Sequence, residues 1–379
     1  MKGKKLLALI LTCVIALSFS ACGTSNSDTS GSVNEAPASD TSAAGTEPAP
    51  AESGSDNLFD IANYKTDKPQ EEWTIAVVTK DNTAAWFKRM EQGIEEFKAE
   101  TGINVIQKGP ANPDAASQVQ VIDDLISQGV DAICVVPIDP GALEASLENA
   151  MRQGIVVVSH EASNQVNTLF DVEAFTADDF GAALMDALAA EMGEEGKYAM
   201  MVAYATSTTH MEYSNAMKVR QEAAYPNMEL INGGQVPTAE SEESVDTSYE
   251  RAKEVLKANP DLRGFTGVAS TDCPGIAKAV EELGLQGQVK IVGVGTPNEF
   301  KNYVLSGTIS KIKLWDPKDA GYAMCAIAQM ILNGEEVGAG SDLGIEGYNN
   351  VTMVEGANRC LIGQADIEIT AENIDNYDF

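Results

Sequence analysis

The chain has 379 residues, of which 57 are acidic and 25 are basic, and its formal net charge is −32. This charge argues against nucleic acid and against electrostatic capture of anionic lipid as partners. Without the leader and the polar stretch described next, roughly 300 residues remain, which is enough for two α/β domains of ordinary size.

The first 22 residues have the order of an export signal. Lys4 and Lys5 precede an apolar run at residues 6–19, which is too short for a stable membrane span but suits the core of a signal peptide. The small residues directly before Cys22 resemble a bacterial lipobox, with Phe19 where Leu is usual. By that resemblance, Cys22 receives a diacylglycerol thioether, and two or more acyl chains anchor stably. An ordinary secretory signal cut elsewhere and an uncleaved anchor are the alternatives.

Residues 23–70 consist mainly of Ser, Thr, Gly, Ala, Pro, Asp and Glu, with few large apolar side chains. Such a segment cannot bury enough surface to offset the entropy lost on ordering. The composition therefore predicts a disordered acidic tether, and folding is expected to begin near Trp73.

Short apolar strands then alternate with amphipathic helices. Helical spacing of Met90, Ile94 and Phe97 predicts the first helix, and continuous apolar runs are typical of parallel strands that are covered on both faces. Strands are predicted at 74–78, 104–108, 132–137, 155–159, 198–204, 228–231, 264–269, 289–294 and 309–314. The further helices are predicted at 114–127, 141–153, 177–192, 211–224, 245–258, 274–283 and 319–332.

This order predicts an α/β fold with two doubly wound parallel-sheet lobes. Strand–helix alternation with short loops implies right-handed βαβ units. Ligands of such sheets bind outside the carboxyl ends of the strands, so two facing lobes would form a cleft that a hinge can close.

Five short motifs, in this order, carry a family resemblance over residues 73–379. They are Ala115-Ala116-Ser117-Gln118, Met151-Arg152-Gln153-Gly154, Thr296-Pro297-Asn298, Leu314-Trp315-Asp316 and the final seven residues, 373–379. The chain resembles the type I substrate-binding proteins of ABC importers, in the ribose-like group. Within that group it is most similar to the rhamnose-binding and autoinducer-2-binding subgroup.

The resemblance implies a domain organisation. A first lobe would comprise residues 71–172 and 316–342, and a second lobe residues 173–315. The tail, 343–379, would cross the hinge again. The three crossings of the hinge are expected near 171–175, near 313–316 and after Leu343.

The resemblance also implies ligand positions. In the autoinducer-2 binder six residues hold the ligand, and by alignment Lys80 alone is identical here. The other five positions carry Glu161, Thr209, His210, Val268 and Ser270. These replacements disfavour autoinducer-2 and favour a sugar. Ribose-like proteins also carry an Asp that Asp272 matches.

Sugar recognition needs donors and acceptors for hydroxyls, and aromatic faces for C–H patches. Side chains just past the predicted strands supply both, and the candidate ligand-binding residues are Lys80, Asp81, Trp86, Phe87, His160, Glu161, Thr209, His210, Ser270, Asp272, Asn298, Trp315 and Asp316. Several have structural alternatives. Asp272 and Asn298 suit helix starts, Trp86 and Phe87 suit core packing, and Trp315 and Asp316 suit the hinge. The acidic run at 240–243 is most simply a solvated helix start.

Metal and cofactor sites are not expected. The two histidines, His160 and His210, have only Glu161 and Glu212 as nearby acidic partners, which is too few for a metal site at proper spacing. Beyond the leader, Cys134, Cys273, Cys325 and Cys360 allow two disulfides in three pairings, but their apolar surroundings favour free thiols.

The sequence therefore predicts a monomeric, lipid-anchored receptor on the outer face of the bacterial cytoplasmic membrane. It would deliver a monosaccharide-like ligand to the permease and ATPase of an ABC importer. A signalling receptor for autoinducer-2 or a polyol is the first alternative, and an enzyme acting on a small sugar is the second. GxSxG, Walker and HExxH motifs are absent from the sequence, and no helix-turn-helix precedes the core to suggest a DNA-binding regulator.

Overall fold

The computed structural model describes residues 57–354 and 359–379. The predicted export signal, Cys22 and most of the predicted tether lie outside the described residues. Within the described part, no helix is both long enough and apolar enough to cross a membrane.

Strands and helices alternate from the first strand to the ninth helix, except that no α-helix separates β4 from β5 or β7 from β8. The strands are β1 (Thr74–Val78), β2 (Asn104–Lys108), β3 (Ala132–Val135), β4 (Val156–Ser159), β5 (Phe170–Glu173), β6 (Gly196–Val202), β7 (Met228–Leu230), β8 (Ala239–Glu240), β9 (Leu262–Gly267), β10 (Lys290–Gly293), β11 (Lys311–Leu314), β12 (Thr352–Val354), β13 (Cys360–Ile362) and β14 (Ile367–Ile369). The helices are α1 (Ala85–Thr101), α2 (Ala115–Gln128), α3 (Pro140–Arg152), α4 (Ala177–Met192), α5 (Thr208–Ala224), α6 (Val245–Ala258), α7 (Asp272–Glu282), α8 (Pro297–Leu305) and α9 (Pro317–Asn333).

The first sheet has the strand order β12-β13-β5-β4-β3-β1-β2. Its central strands β1, β3 and β4 pair in parallel and are almost entirely buried, as expected for apolar strands covered on both faces. Helix α1 packs against α9, and α2 packs against α3.

The second sheet has the strand order β14-β11-β10-β9-β6-β7, with β8 paired to β6. Helix α4 packs against α5, and α6 packs against α7. The prediction of two doubly wound α/β lobes is confirmed. The expectation of purely parallel sheets needs correction, because β12 pairs antiparallel with β13, and β14 pairs antiparallel with β11.

The chain passes between the two sheets three times. It leaves the first sheet after β5 and returns after β11, where α9 packs on β4 of the first sheet. It crosses again between β13 and β14. Several separate connections between two lobes are the arrangement found in proteins whose lobes rotate about a hinge.

Local chemistry explains where the helices start and stop. The side chain of Asp114 accepts a hydrogen bond from the backbone N–H of Ser117 and caps α2, and Asp139 caps α3 in the same way. Helix α2 ends at Gly129, whose φ of 71° is a left-handed conformation that glycine adopts without a steric penalty.

The four described cysteines are buried free thiols. Cys134 in β3 lies close to Cys325 in α9, and hydrogen bonding to Cys325 together with burial raises the pKa of Cys134 well above its usual value. Burial likewise raises the pKa of Cys273. Cys134 and Cys273 therefore remain protonated, and the buried thiols serve as small core side chains.

Candidate functional site

One small cavity lies where the carboxyl ends of strands from both sheets meet. Its volume is about 30 Å³. The first lobe supplies residues that follow β1 and β4, and the second lobe supplies residues that follow β6, β8, β9, β10 and β11. The lining residues are Lys80, Ala84, Trp86, Phe87, Glu161, His210, Glu243, Val268, Ala269, Ser270, Val294 and Trp315.

A buried ion pair occupies one wall of this cavity. Nζ of Lys80 lies 2.6 Å from Oε2 of Glu161, and the two side chains are only 4% and 6% exposed. Burial opposes the charge on each group, but each partner overcomes it for the other: the pKa of Lys80 is raised and the pKa of Glu161 is lowered. Both groups are therefore charged at neutral pH.

The backbone at Glu161 is unusual. Its φ of 56° is in the left-handed region, directly after β4. A non-glycine residue in this region carries strain of about 1–3 kcal/mol, which persists only where the surroundings impose it. Here the conformation directs a carboxylate toward Lys80, which follows β1, two strands away in the sheet.

His160 is fixed behind the cavity by two hydrogen bonds. The indole N–H of Trp315 can only donate, so Nε2 of His160 accepts at 3.1 Å. The proton must then be on Nδ1, which lies 2.6 Å from the carbonyl oxygen of Val172. His160 is therefore a neutral support for Trp315, whose ring lines the cavity and meets Trp86 edge-on at 4.9 Å.

His210 contributes an unused nitrogen to the cavity. Its side chain is buried, and Nδ1 makes no hydrogen bond with any described residue. Burial, and then the charge of Lys80, lower the pKa of His210 to about 3. The ring is neutral, so its free nitrogen can serve a ligand hydroxyl.

Glu243 is a lining residue that the sequence interpretation missed. The acidic run at 240–243 was expected to be a solvated helix start, and this is wrong for Glu243, which faces the cavity while Glu242 is exposed. Burial raises the pKa of Glu243 to about 7, Lys80 lowers it, and Asp272 and Glu161 raise it further. The sequence carries no clear pattern that predicts a strand end before Glu243, since the preceding strand β8 has only two residues.

A cavity between two lobes, lined from the strand ends of both, is the arrangement of proteins that close around a small ligand. A family model described as "periplasmic binding protein domain" matches residues 75–336. The chain belongs to this family. The resemblance predicted from the sequence, to type I substrate-binding proteins of the ribose-like group, is confirmed, and the family acts outside the cytoplasm.

Relatives of this binding protein are named after a ligand. The D-allose-binding periplasmic protein of Escherichia coli is 26% identical over 264 residues, which are 65% of this chain and 80% of the relative. The D-ribose/D-allose-binding protein of Pseudomonas aeruginosa is 23% identical over 250 residues, covering 62% of this chain and 74% of the relative.

Solved structures share the fold of this binding protein. LsrB from Clostridium saccharobutylicum in complex with AI-2 has a TM-score of 0.74 and 24% identity, with 81% of this chain and 100% of that chain covered. An ABC transporter solute binding protein from Clostridium phytofermentas with bound L-rhamnose has a TM-score of 0.73 and 23% identity, with 80% of this chain and 98% of that chain covered.

Seven predicted site residues line the cavity of this binding protein: Lys80, Trp86, Phe87, Glu161, His210, Ser270 and Trp315. Two predicted acids lie beside it and organise its loops. Oδ1 of Asp81 accepts the backbone N–H groups of Thr83 and Ala84 at 2.7 Å, at the start of α1. Oδ2 of Asp272 accepts those of Val268 and Ala269, which line the cavity. Burial raises the pKa of Asp272 to about 6.

Asp316 and Asn298 lie outside the cavity lining and make contacts that tie the chain terminus to the lobes. Arg89 of α1 forms a two-point ion pair with Asp316, at 2.9 and 2.6 Å, and its guanidinium lies 4.2 Å from the ring centre of Phe379. The backbone N–H of Asn298 donates to the carbonyl of Phe379 at 2.8 Å. Neither Arg89 nor Phe379 is among the site residues predicted from the sequence.

Thr209 faces a different and larger hollow, of about 1160 Å³, between strands β5, β12 and β13 and helices α4 and α5. Phe175, Tyr213, Val219 and Val354 contribute to its largely apolar wall. Lys80, Glu161 and His210 do not line this hollow. The smaller cavity is the stronger candidate, because it combines the strand ends with convergent polar groups.

A metal site is not found in the described part of the chain. No group of three or more His, Cys, Asp or Glu residues at 57–354 and 359–379 is arranged to hold a metal ion.

Proposed function

We propose that this protein is the lipid-anchored solute receptor of an ABC importer and that it binds a monosaccharide-like ligand between its lobes. One observation carries the proposal. Polar groups from both lobes, Lys80 and Glu161 from the first and His210 and Glu243 from the second, converge on one cavity at the strand ends.

The chemistry of the cavity suits a polyhydroxylated molecule. A sugar hydroxyl both donates and accepts hydrogen bonds. In the cavity the carboxylates of Glu161 and Glu243 accept, the ammonium group of Lys80 donates, and the neutral ring of His210 can do either. Trp86, Phe87 and Trp315 offer apolar surfaces to the C–H faces of a sugar ring. The sugars after which the relatives are named, ribose and allose, and the L-rhamnose bound in a similar solved structure support this ligand class.

Ligand entry requires the lobes to separate. A cavity of about 30 Å³ corresponds to roughly one water molecule in the liquid, which is far smaller than a monosaccharide. The three hinge connections allow the opening, and a ligand that contacts residues of both lobes stabilises the closed form.

Calorimetry on the full-length chain in detergent tests the ligand class. The panel contains pentoses, hexoses, deoxyhexoses and autoinducer-2, and the same samples are analysed for products. We expect saturable binding of at least one sugar, with one site per chain and no turnover. Binding of autoinducer-2 alone would instead support the signalling receptor. Product formation would support an enzyme, and binding of nothing in the panel would refute the proposal.

The anchor is tested separately. Cells that express the chain are labelled with a radioactive fatty acid, and we expect the label on the wild-type protein but not on Cys22→Ala. Label that persists in Cys22→Ala, or its absence from both, would refute lipidation at Cys22. Delivery to a permease is tested by ligand uptake in cells that lack this chain.

A further inference from the structure

Glu243 brings a carboxylate to the cavity without a partner. The carboxylate makes no hydrogen bond or ion pair with any other residue of 57–354 and 359–379, whereas Glu161 on the facing lobe is paired at 2.6 Å. Its backbone is left-handed, with a φ of 53°. A strained backbone that holds an unpaired acid toward a cavity is typical of a ligand-contacting residue.

The charges around the cavity do not balance. Among the lining residues, Lys80 is the one cation, and Glu161 already neutralises it. His210 is neutral. Glu243 therefore adds an excess negative charge when it is ionised, and a partly desolvated carboxylate without a partner is unfavourable.

Three kinds of ligand meet the ionised form of Glu243 differently. An anionic ligand would be repelled, and a neutral sugar would leave the excess charge in place. An ammonium group on the ligand would neutralise the charge and make a charge-assisted hydrogen bond. We propose that the ligand is a polyhydroxylated amine, such as an amino sugar, whose ammonium group binds Glu243. This inference rests on the proposed function of the cleft as a sugar site.

Several ionisable groups surround Glu243. Lys80 and Glu161 face it from the first lobe together with Asp81, and Asp272 faces it from α7. Burial, together with the charge of Glu243, raises the pKa of Tyr204 near the end of β6. Because the pKa of Glu243 is raised to about 7, the carboxylate form that binds an ammonium group becomes dominant above neutral pH. The ammonium group of an amino sugar itself loses its proton at about pH 8, as an α-amino group does. Amine affinity should therefore be greatest between the two pKa values, at about pH 7.5, and fall on either side.

The test uses matched pairs of sugars on the full-length chain in detergent. D-glucosamine, D-galactosamine and D-mannosamine are each compared with the neutral parent sugar by calorimetry. In at least one pair we expect the amine to bind roughly tenfold to hundredfold more tightly at about pH 7.5. Glu243→Gln keeps the shape and removes the charge, so it should abolish this preference. Glu242→Gln, the exposed neighbour, should retain it.

The outcomes separate this inference from the proposed function. Three results would each overturn the proposal that the ligand is an amine and would leave a sugar receptor. The parent sugars could bind as tightly as the amines, or other neutral sugars could bind while the amines do not. The preference for an amine could also survive Glu243→Gln in a correctly folded protein. Failure of every sugar, amine or neutral, would overturn the proposed function itself. Circular dichroism of Glu243→Gln establishes that the variant is folded.

Discussion

Lys80 and Glu161 form an ion pair of 2.6 Å between the carboxyl ends of β1 and β4, and neither side chain is more than 6% exposed. One strand, β3, lies between these two ends, because it pairs with both β1 and β4. The pair thus joins two loops of the first lobe across the end of β3. At the same time it presents its remaining donors and acceptors to the cavity.

Breaking this pair should destabilise the protein. Glu161→Gln and Lys80→Met each leave one buried charge without its partner, and we expect each to lower the free energy of unfolding by about 3–5 kcal/mol. The double variant should lose less than the sum, as a urea-denaturation mutant cycle measures. The exposed pair Glu95–Lys98 is the control, and Lys98→Met should cost less than about 1 kcal/mol. Additive losses at Lys80 and Glu161 would contradict the coupling.

Asp316→Asn should loosen the contacts at the chain terminus. The amide keeps the cap on α9, whose backbone N–H at Lys318 is bonded to Asp316, but it removes the two-point ion pair with Arg89. We expect a loss of about 1–3 kcal/mol in thermal unfolding. Glu148→Gln, at the exposed end of the pair with Arg152, is the matched control and should change stability little. Equal effects of the two changes would show that the buried position of the Asp316 pair adds nothing.

The sequence predicts most of the fold because its signals are local. Strands β1 and β2 and helices α4 and α6 have the predicted bounds, since apolar runs, helical periodicity and caps mark them. β12, β13 and β14 were not predicted as strands. Each has three residues, and pairing with distant segments establishes them. Such tertiary pairing has no periodicity to detect.

The same difference explains the site. Lys80 and Glu161 follow strands that the sequence reveals, so their convergence could be predicted from the rule that ligands bind at strand ends. Glu243 follows the two-residue strand β8, and its left-handed backbone cannot be inferred from the run of acids. Asp272 was correctly placed at a strand end, but its direction toward the loop of Val268 and Ala269 depends on side-chain geometry.

The unpaired acid should make stability depend on pH. The pKa of Glu243 is raised to about 7 in the folded protein, so between its ordinary value and 7 the folded state binds more protons than the unfolded state, and stability falls as pH rises. Glu243→Gln removes this loss. We expect it to match the wild type near pH 5 and to exceed it by about 1–2 kcal/mol near pH 8, in urea unfolding without ligand. Glu242→Gln should show no such divergence, and parallel curves for Glu243→Gln would refute the prediction.

Trp315→Phe should release His160 from its fixed tautomer. The indole N–H donates to Nε2 of His160, which forces the ring proton onto Nδ1 and its bond to Val172. Phenylalanine keeps an aromatic ring beside Trp86 but has no donor, so a buried acceptor loses its partner, and we expect a loss of about 1–3 kcal/mol. Nitrogen NMR of the histidine ring should show the Nδ1-protonated form in the wild type and a changed Nε2 signal in the variant. Trp86→Phe is the control, since the Trp86 indole has no hydrogen bond to other described residues, and its His160 spectrum should stay like that of the wild type. An unchanged spectrum in Trp315→Phe would mean that Val172 alone determines the tautomer.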